Sequence, residues 1–116
     1  MIISIEYMSV NKYEKFVIYY ISPKDDETVK YIGSTISFNR RKNQHKKNTT
    51  NKSSKKYSCP LYQYIRALGG FNNFNMEILE KYPCMTKQEG LTREKELIEF
   101  HKSKLNMNKP IKNIIT

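Results

Sequence analysis

From Phe16 to Ile21 the chain reads FVIYYI, apolar or aromatic at every position, so the segment has no polar face. That pattern predicts a central strand covered on both sides, not an exposed edge. Ser22 to Thr28, with Pro23 and Asp25-Asp26, carries turn chemistry, and Val29 to Gly33 reads as the returning strand. A hairpin closed symmetrically about Asp25 would set Tyr19 opposite Tyr31 and Val17 opposite Gly33. The two tyrosines would then be cross-strand neighbours, and Gly33 would leave a gap where a ligand can approach the backbone.

Ser37 predicts the N-cap of a helix running to about Lys47. Its one strong apolar anchor is Phe38, and Arg41 and His45 stack above it at helical spacing. A helix that turns such a stripe inward presents chemistry more than core. Lys52 to Lys56 reads as a basic loop. Ser58-Cys59-Pro60 opens a second helix with Leu61, Tyr64, Ile65 and Leu68 on one face, stopped by Gly69-Gly70. Asn75 to Tyr82 predicts a third strand, and Thr86 with Glu89 forms a capping box for a last helix to about Lys102. On that helix Glu94 interrupts the apolar stripe between Leu91 and Ile98, where a carboxylate needs a cation or hydrogen-bond donors. The opening, Met1 to Asn11, holds the apolar MIISI, which reads as an edge strand or a loosely ordered extension.

A length of 116 residues suits one domain. The organisation expected is an extension over residues 1–14, a domain over 15–110 and a tail over 111–116. The formal net charge of +10, from 21 Lys and Arg against 11 Asp and Glu, exceeds what solubility needs and points to a polyanionic partner. Nucleic acid is the first candidate and an anionic membrane surface the second, although no basic amphipathic helix with a broad apolar face supports the latter. Neither a signal-peptide block nor a transmembrane run is visible, so the expectation is an intracellular protein of the cytoplasm, or of a host cell's nucleus or viral factory. Cys59 and Cys84 form no C-x-x-C pair, so neither a disulfide framework nor a zinc knuckle is suggested.

Arg40, Arg41, Lys42, Lys46, Lys47, Lys52, Lys55 and Lys56 form a run with no acid between Ile36 and Lys56, the sign that attracts phosphate. The bland alternative for such a run is a solvated face. Arg41 and His45 lie one helical turn apart, a spacing that lets a guanidinium hold a phosphate oxygen while an imidazole works nearby. Tyr19 and Tyr31, each taken alone, read as ordinary strand packing. Glu94 is the best candidate metal ligand, because Mg²⁺ takes carboxylate oxygen and needs only one or two protein ligands beside water and phosphate. Its bland alternative is an ion pair with a lysine or the capping of a turn.

Together these residues form an ordered set: VIY at Val17 to Tyr19, YIG at Tyr31 to Gly33, Arg41 eight residues past Gly33, His45 four further on, Glu94 on a late helix, and an Asn beyond it. That set resembles the GIY-YIG nuclease domain. The block GGFNNFNMEILEKYPC and the closing REKELIEFHKSKLNMNKP are similar to stand-alone members of the virus or mobile-element type. The similarity spans Phe16 to Pro110 and departs at Val17, which stands where the family signature has its first glycine.

The resemblance implies an α+β fold, a small three-stranded antiparallel sheet flanked by helices, and metal-dependent cleavage of DNA. It assigns water activation to Tyr19, places Tyr31 and His45 around the scissile phosphate, gives Arg41 the developing charge and gives Glu94 a single Mg²⁺ or Mn²⁺ ion. Gly33, Arg40, Lys42, Lys46 and Lys47 are expected to contact DNA, together with a late Asn matched by Asn106 or Asn108. A targeting protein or a separate DNA-binding subunit is a further expected partner, because the chain has little room for a specificity domain. The competing expectation is a catalytically silent nucleic-acid-binding module of the same fold.

Overall fold

A computed structural model describes residues 11–106. The all-apolar segment forms β1 (Val17–Pro23), buried at six of seven positions. It is the middle strand of a three-stranded antiparallel sheet, with β2 (Tyr31–Thr35) on one side and β3 (Phe74–Lys81) on the other. Its lack of a polar face follows from that position, since helices cover both sheet surfaces.

The hairpin register differs from the expected one. Tyr19 pairs with Gly33 and Val17 with Thr35, so Tyr31 lies opposite Ile21 instead of Tyr19. The turn is centred one residue later than Asp25 because Asp26 organises it, accepting from the Thr28 amide at 3.1 Å and from the Thr28 hydroxyl. A symmetric shift of this kind preserves the face of every side chain, so Tyr19, Tyr31 and Gly33 remain on one side. The gap expected beside Val17 is therefore beneath Tyr19, whose ring fills it.

That side of the sheet packs on α1 (Phe38–Thr50) and α2 (Pro60–Ala67), through Tyr19, Ile21, Leu61, Tyr62, Ile65 and Met76. The opposite side packs on α3 (Lys87–His101), through Phe16, Ile18, Ile32 and Leu97. A β-bulge between Ile18 and Tyr19 leaves Leu79 unpaired on β3, and Leu79 joins the α3 side. The result is the α+β sandwich anticipated above.

The helix ends show which local signals mattered. Ser37 is the N-cap of α1, but its side chain makes no capping bond; the Thr35 hydroxyl instead accepts from the Ser37 amide at 3.0 Å. Pro60 occupies the first turn of α2, and Gly69 ends it at φ 102°, a conformation open to glycine. Leu68, expected in the core stripe, is 44 % exposed, because α2 ends before that position can turn inward. The Thr86–Glu89 capping box forms as expected. On α3 the buried positions are Gly90 and Leu97, not Leu91, so Glu94 is half-buried and not sealed in an apolar stripe. A bidentate pair from Arg93 to Glu80, at 2.7 and 2.8 Å, locks α3 to β3.

Past α3 the chain returns to the free edge of β2. The Leu105 amide donates to the Lys30 carbonyl at 3.0 Å, and the Asn106 side chain both accepts from the Ile32 amide and donates to its carbonyl, each at 2.7 Å. An asparagine amide thus stands in for a neighbouring strand and covers part of an edge. The expected MIISI strand and Asn108 lie outside the described residues.

Candidate active site

Tyr19 points from the central strand toward α1, and Gly33 on the paired strand makes room for it. A Cβ at Gly33 would come within 2.5 Å of the Tyr19 oxygen, so only glycine lets the ring lie across β2. The Tyr19 hydroxyl meets His45 Nε2 at 2.7 Å and accepts from Arg41 Nε at 3.3 Å. Phe38 packs edge-on to the same ring, with centroids 6.3 Å apart. The stripe of Phe38, Arg41 and His45 is thus turned inward, with His45 at 0 % exposure.

The other nitrogen of that imidazole, Nδ1, lies 2.7 Å from the hydroxyl of Tyr62 on α2. Tyr62 also accepts from Asn48 Nδ2 at 3.2 Å, and the Ser54 hydroxyl holds the Asn48 carbonyl oxygen at 2.7 Å. Tyr31 completes the group, its ring edge-on to His45 at 6.1 Å. Burial pushes the phenols of Tyr19, Tyr31 and Tyr62 above their ordinary range. Burial, with Arg41 nearby, pushes His45 down to about 3, so its ring is neutral at physiological pH. Three protonated phenols therefore surround a neutral imidazole, with Arg41 the charged member of the cluster.

Beside this network opens a cavity of about 330 Å³ lined by Tyr31, Arg41, Asn48, Lys56, Tyr62 and Asn106. Two cations on the lining suit a phosphate. Tyr19, 1 % exposed, lies behind Arg41 and is not part of the lining.

A family comparison decides what this arrangement belongs to: the profile of the GIY-YIG catalytic domain matches residues 15–108. The chain belongs to the GIY-YIG family. Its members are nucleases that act on DNA and generally use a divalent metal ion. No curated protein and no solved structure matches the chain.

In this GIY-YIG domain the signature residues take unequal positions. Tyr19, Arg41 and His45 are in direct contact, and Tyr31 is adjacent. Glu94 comes from the opposite helix layer, is not part of the cavity lining and reaches the edge strand β2. It accepts a hydrogen bond from Ser34 there, and its charge adds to burial in holding Tyr31 protonated. Half-buried, it has no cationic partner among the described residues; the nearby Arg93 is engaged by Glu80 and Glu96. Such a carboxylate fits a hard cation completed by water and phosphate oxygen. Among the described residues no three His, Cys, Asp or Glu gather into a metal cage, so a site here would rest on one protein ligand.

The basic residues divide. Lys56, in the loop before α2, lines the cavity, whereas Lys42 and Lys46 border a separate depression against β3, with Phe71 and Asn75. Arg40 and Lys47 are exposed. Arg66 is occupied internally, donating to the carbonyls of Thr49 and Tyr57 at 3.0 and 2.8 Å and stacking on the Tyr57 ring, which fixes the loop that carries Lys56. Sequence reading missed Tyr62, Asn48 and Lys56 as a group, because Tyr62 sits beside a helical core stripe and its neighbours come from other segments. Among the described residues no helix is long and apolar enough to cross a membrane.

Proposed function

We propose that this protein is a Mg²⁺- or Mn²⁺-dependent DNA endonuclease that hydrolyses a phosphodiester seated in the cavity beside Arg41. The observation that carries the reading is the Arg41 guanidinium, held by Tyr19 at 3.3 Å and Gln44 at 3.0 Å, on a cavity that also presents Lys56. Its Nη2 has no partner among the described residues and is free to bind a phosphate oxygen. Held from behind, the guanidinium needs little rearrangement as charge grows on the phosphate.

Tyr31 lines the same cavity as a neutral phenol and orients the attacking water by hydrogen bonding. Tyr19 takes a positioning role in this scheme, fixing Arg41 and His45. Glu94, with Ser34 orienting its carboxylate, would hold the divalent ion, which neutralises phosphate charge and acidifies a bound water. Arg40 and Lys47 contact the flanking backbone, Lys42 and Lys46 a more distant stretch of the strand, and Asn106 holds the β2 edge in place.

The test is a supercoiled plasmid incubated with the protein, with and without Mg²⁺. Metal-dependent nicks that disappear in Glu94→Ala support the reading. Salt-sensitive DNA binding without strand breaks under any metal would leave a binding module instead.

A further inference from the structure

The hydrogen bonds around His45 constrain where each proton can lie. A neutral imidazole carries one N–H, so it donates to one of the two phenols and accepts from the other. Each phenol oxygen already accepts one outside bond, Tyr19 from Arg41 Nε at 3.3 Å and Tyr62 from Asn48 Nδ2 at 3.2 Å. If Nε2 carried the hydrogen, Tyr19 would receive two donors and its own O–H would have no acceptor at 1 % exposure. A buried hydroxyl left unpaired costs about 1 to 3 kcal/mol. If Nδ1 carries it, Tyr19 donates to Nε2, Nδ1 donates to Tyr62, and the Tyr62 hydrogen is the one left over. Tyr62, itself 4 % exposed, lines the cavity with Arg41 and Lys56, whereas Tyr19 does not, so that hydrogen has the cavity as its outlet.

We infer that Tyr62 is a substrate-contacting residue: its hydroxyl donates to a phosphate oxygen in the cavity, aimed there by His45 in the Nδ1–H tautomer and by Asn48. This rests on reading the cavity as the phosphate site. The role of His45 then becomes indirect: it connects the buried Tyr19 to the donor that faces DNA. Binding an anion at Tyr62 polarises the chain of hydrogen bonds in one direction, because the Tyr62, Nδ1 and Tyr19 hydrogens all point toward the next acceptor.

Two measurements on the full chain test this. In ¹⁵N-histidine-labelled protein at neutral pH, long-range ¹H–¹⁵N spectra should show His45 protonated at Nδ1; protonation at Nε2 would overturn the inference whatever the activity. In plasmid nicking with Mg²⁺, Tyr62→Phe should cut about 10- to 100-fold more slowly at saturating DNA while its melting transition stays cooperative. A variant that nicks at the wild-type rate would refute the contact and leave the nuclease reading intact. Wild-type protein that never nicks would instead defeat the nuclease reading, with the tautomer still deciding where the Tyr62 hydrogen points.

Discussion

The Tyr19 hydroxyl and His45 Nε2 lie 2.7 Å apart between groups that are 1 % and 0 % exposed. A titratable ring this enclosed links stability to pH. Burial, then Arg41, pushes His45 down to about 3 in the folded state, against about 6.5 in the unfolded chain. Between those values the unfolded chain binds the extra proton, so stability is complete above about pH 6.5 and declines as pH falls below it, by up to about 1.4 kcal/mol per unit. Urea midpoints should drop between pH 7.5 and 5, and His45→Gln should lose much of that slope. A midpoint that does not move over this range would mean the ring protonates freely in the folded protein.

Arg41→Ala should slow plasmid nicking about 100- to 1,000-fold, the scale seen when a preorganised donor to developing charge is removed. Arg41→Lys should recover little, because one ammonium cannot serve Tyr19, Gln44 and a phosphate from a planar fork. DNA retention at low salt should change much less than the rate. Equal losses in both would assign Arg41 to binding alone.

Glu94→Gln keeps the shape of the side chain and its contact with Ser34 while removing the charge. Cleavage should fall by more than about 100-fold, and Mn²⁺ binding measured by calorimetry in the presence of a short DNA duplex should weaken, with the melting temperature nearly unchanged. Full activity in this variant would show that the carboxylate has no part in metal use.

Gly33→Ala tests the packing beneath the site. The new methyl would fall 2.5 Å from the Tyr19 oxygen and 2.6 Å from its ring carbon, so the ring must move away from His45. The expected loss is about 1 to 3 kcal/mol of stability together with most of the activity. Thermal melts and nicking rates measured on the same preparation would check both; wild-type values in both would mean the ring has slack that the geometry does not show.

Lys56 is the second cation on the cavity wall, fixed in place by the Arg66 clamp on its loop. Lys56→Ala should weaken DNA binding and reduce the slope of log K against log salt by about 1, as for the loss of one phosphate contact. An unchanged slope would place Lys56 away from the DNA backbone.

Much of the fold was legible because it depends on local chemistry. The unbroken FVIYYI run carried the pattern of a doubly covered strand, and it is the middle one. The Thr86–Glu89 box and Gly69-Gly70 marked helix ends where they occur, since each satisfies backbone groups within a few residues. The hairpin register was not legible, because a shift of two residues keeps every side chain on its own face and the hydrophobic pattern cannot register the difference.

The chain order of tyrosines, arginine, histidine and glutamate was enough to suggest the family that the profile match shows, and their residue types pointed toward phosphate and metal. What each one touches was decided by tertiary packing. Tyr19 proved to be enclosed, Tyr62 emerged beside the cavity, and Glu94 reached the β2 edge from the opposite layer. Burial and partnership depend on which segments meet across the sheet. Those distances arise only when residues more than ten positions apart are brought within a few ångströms, and no local pattern encodes them.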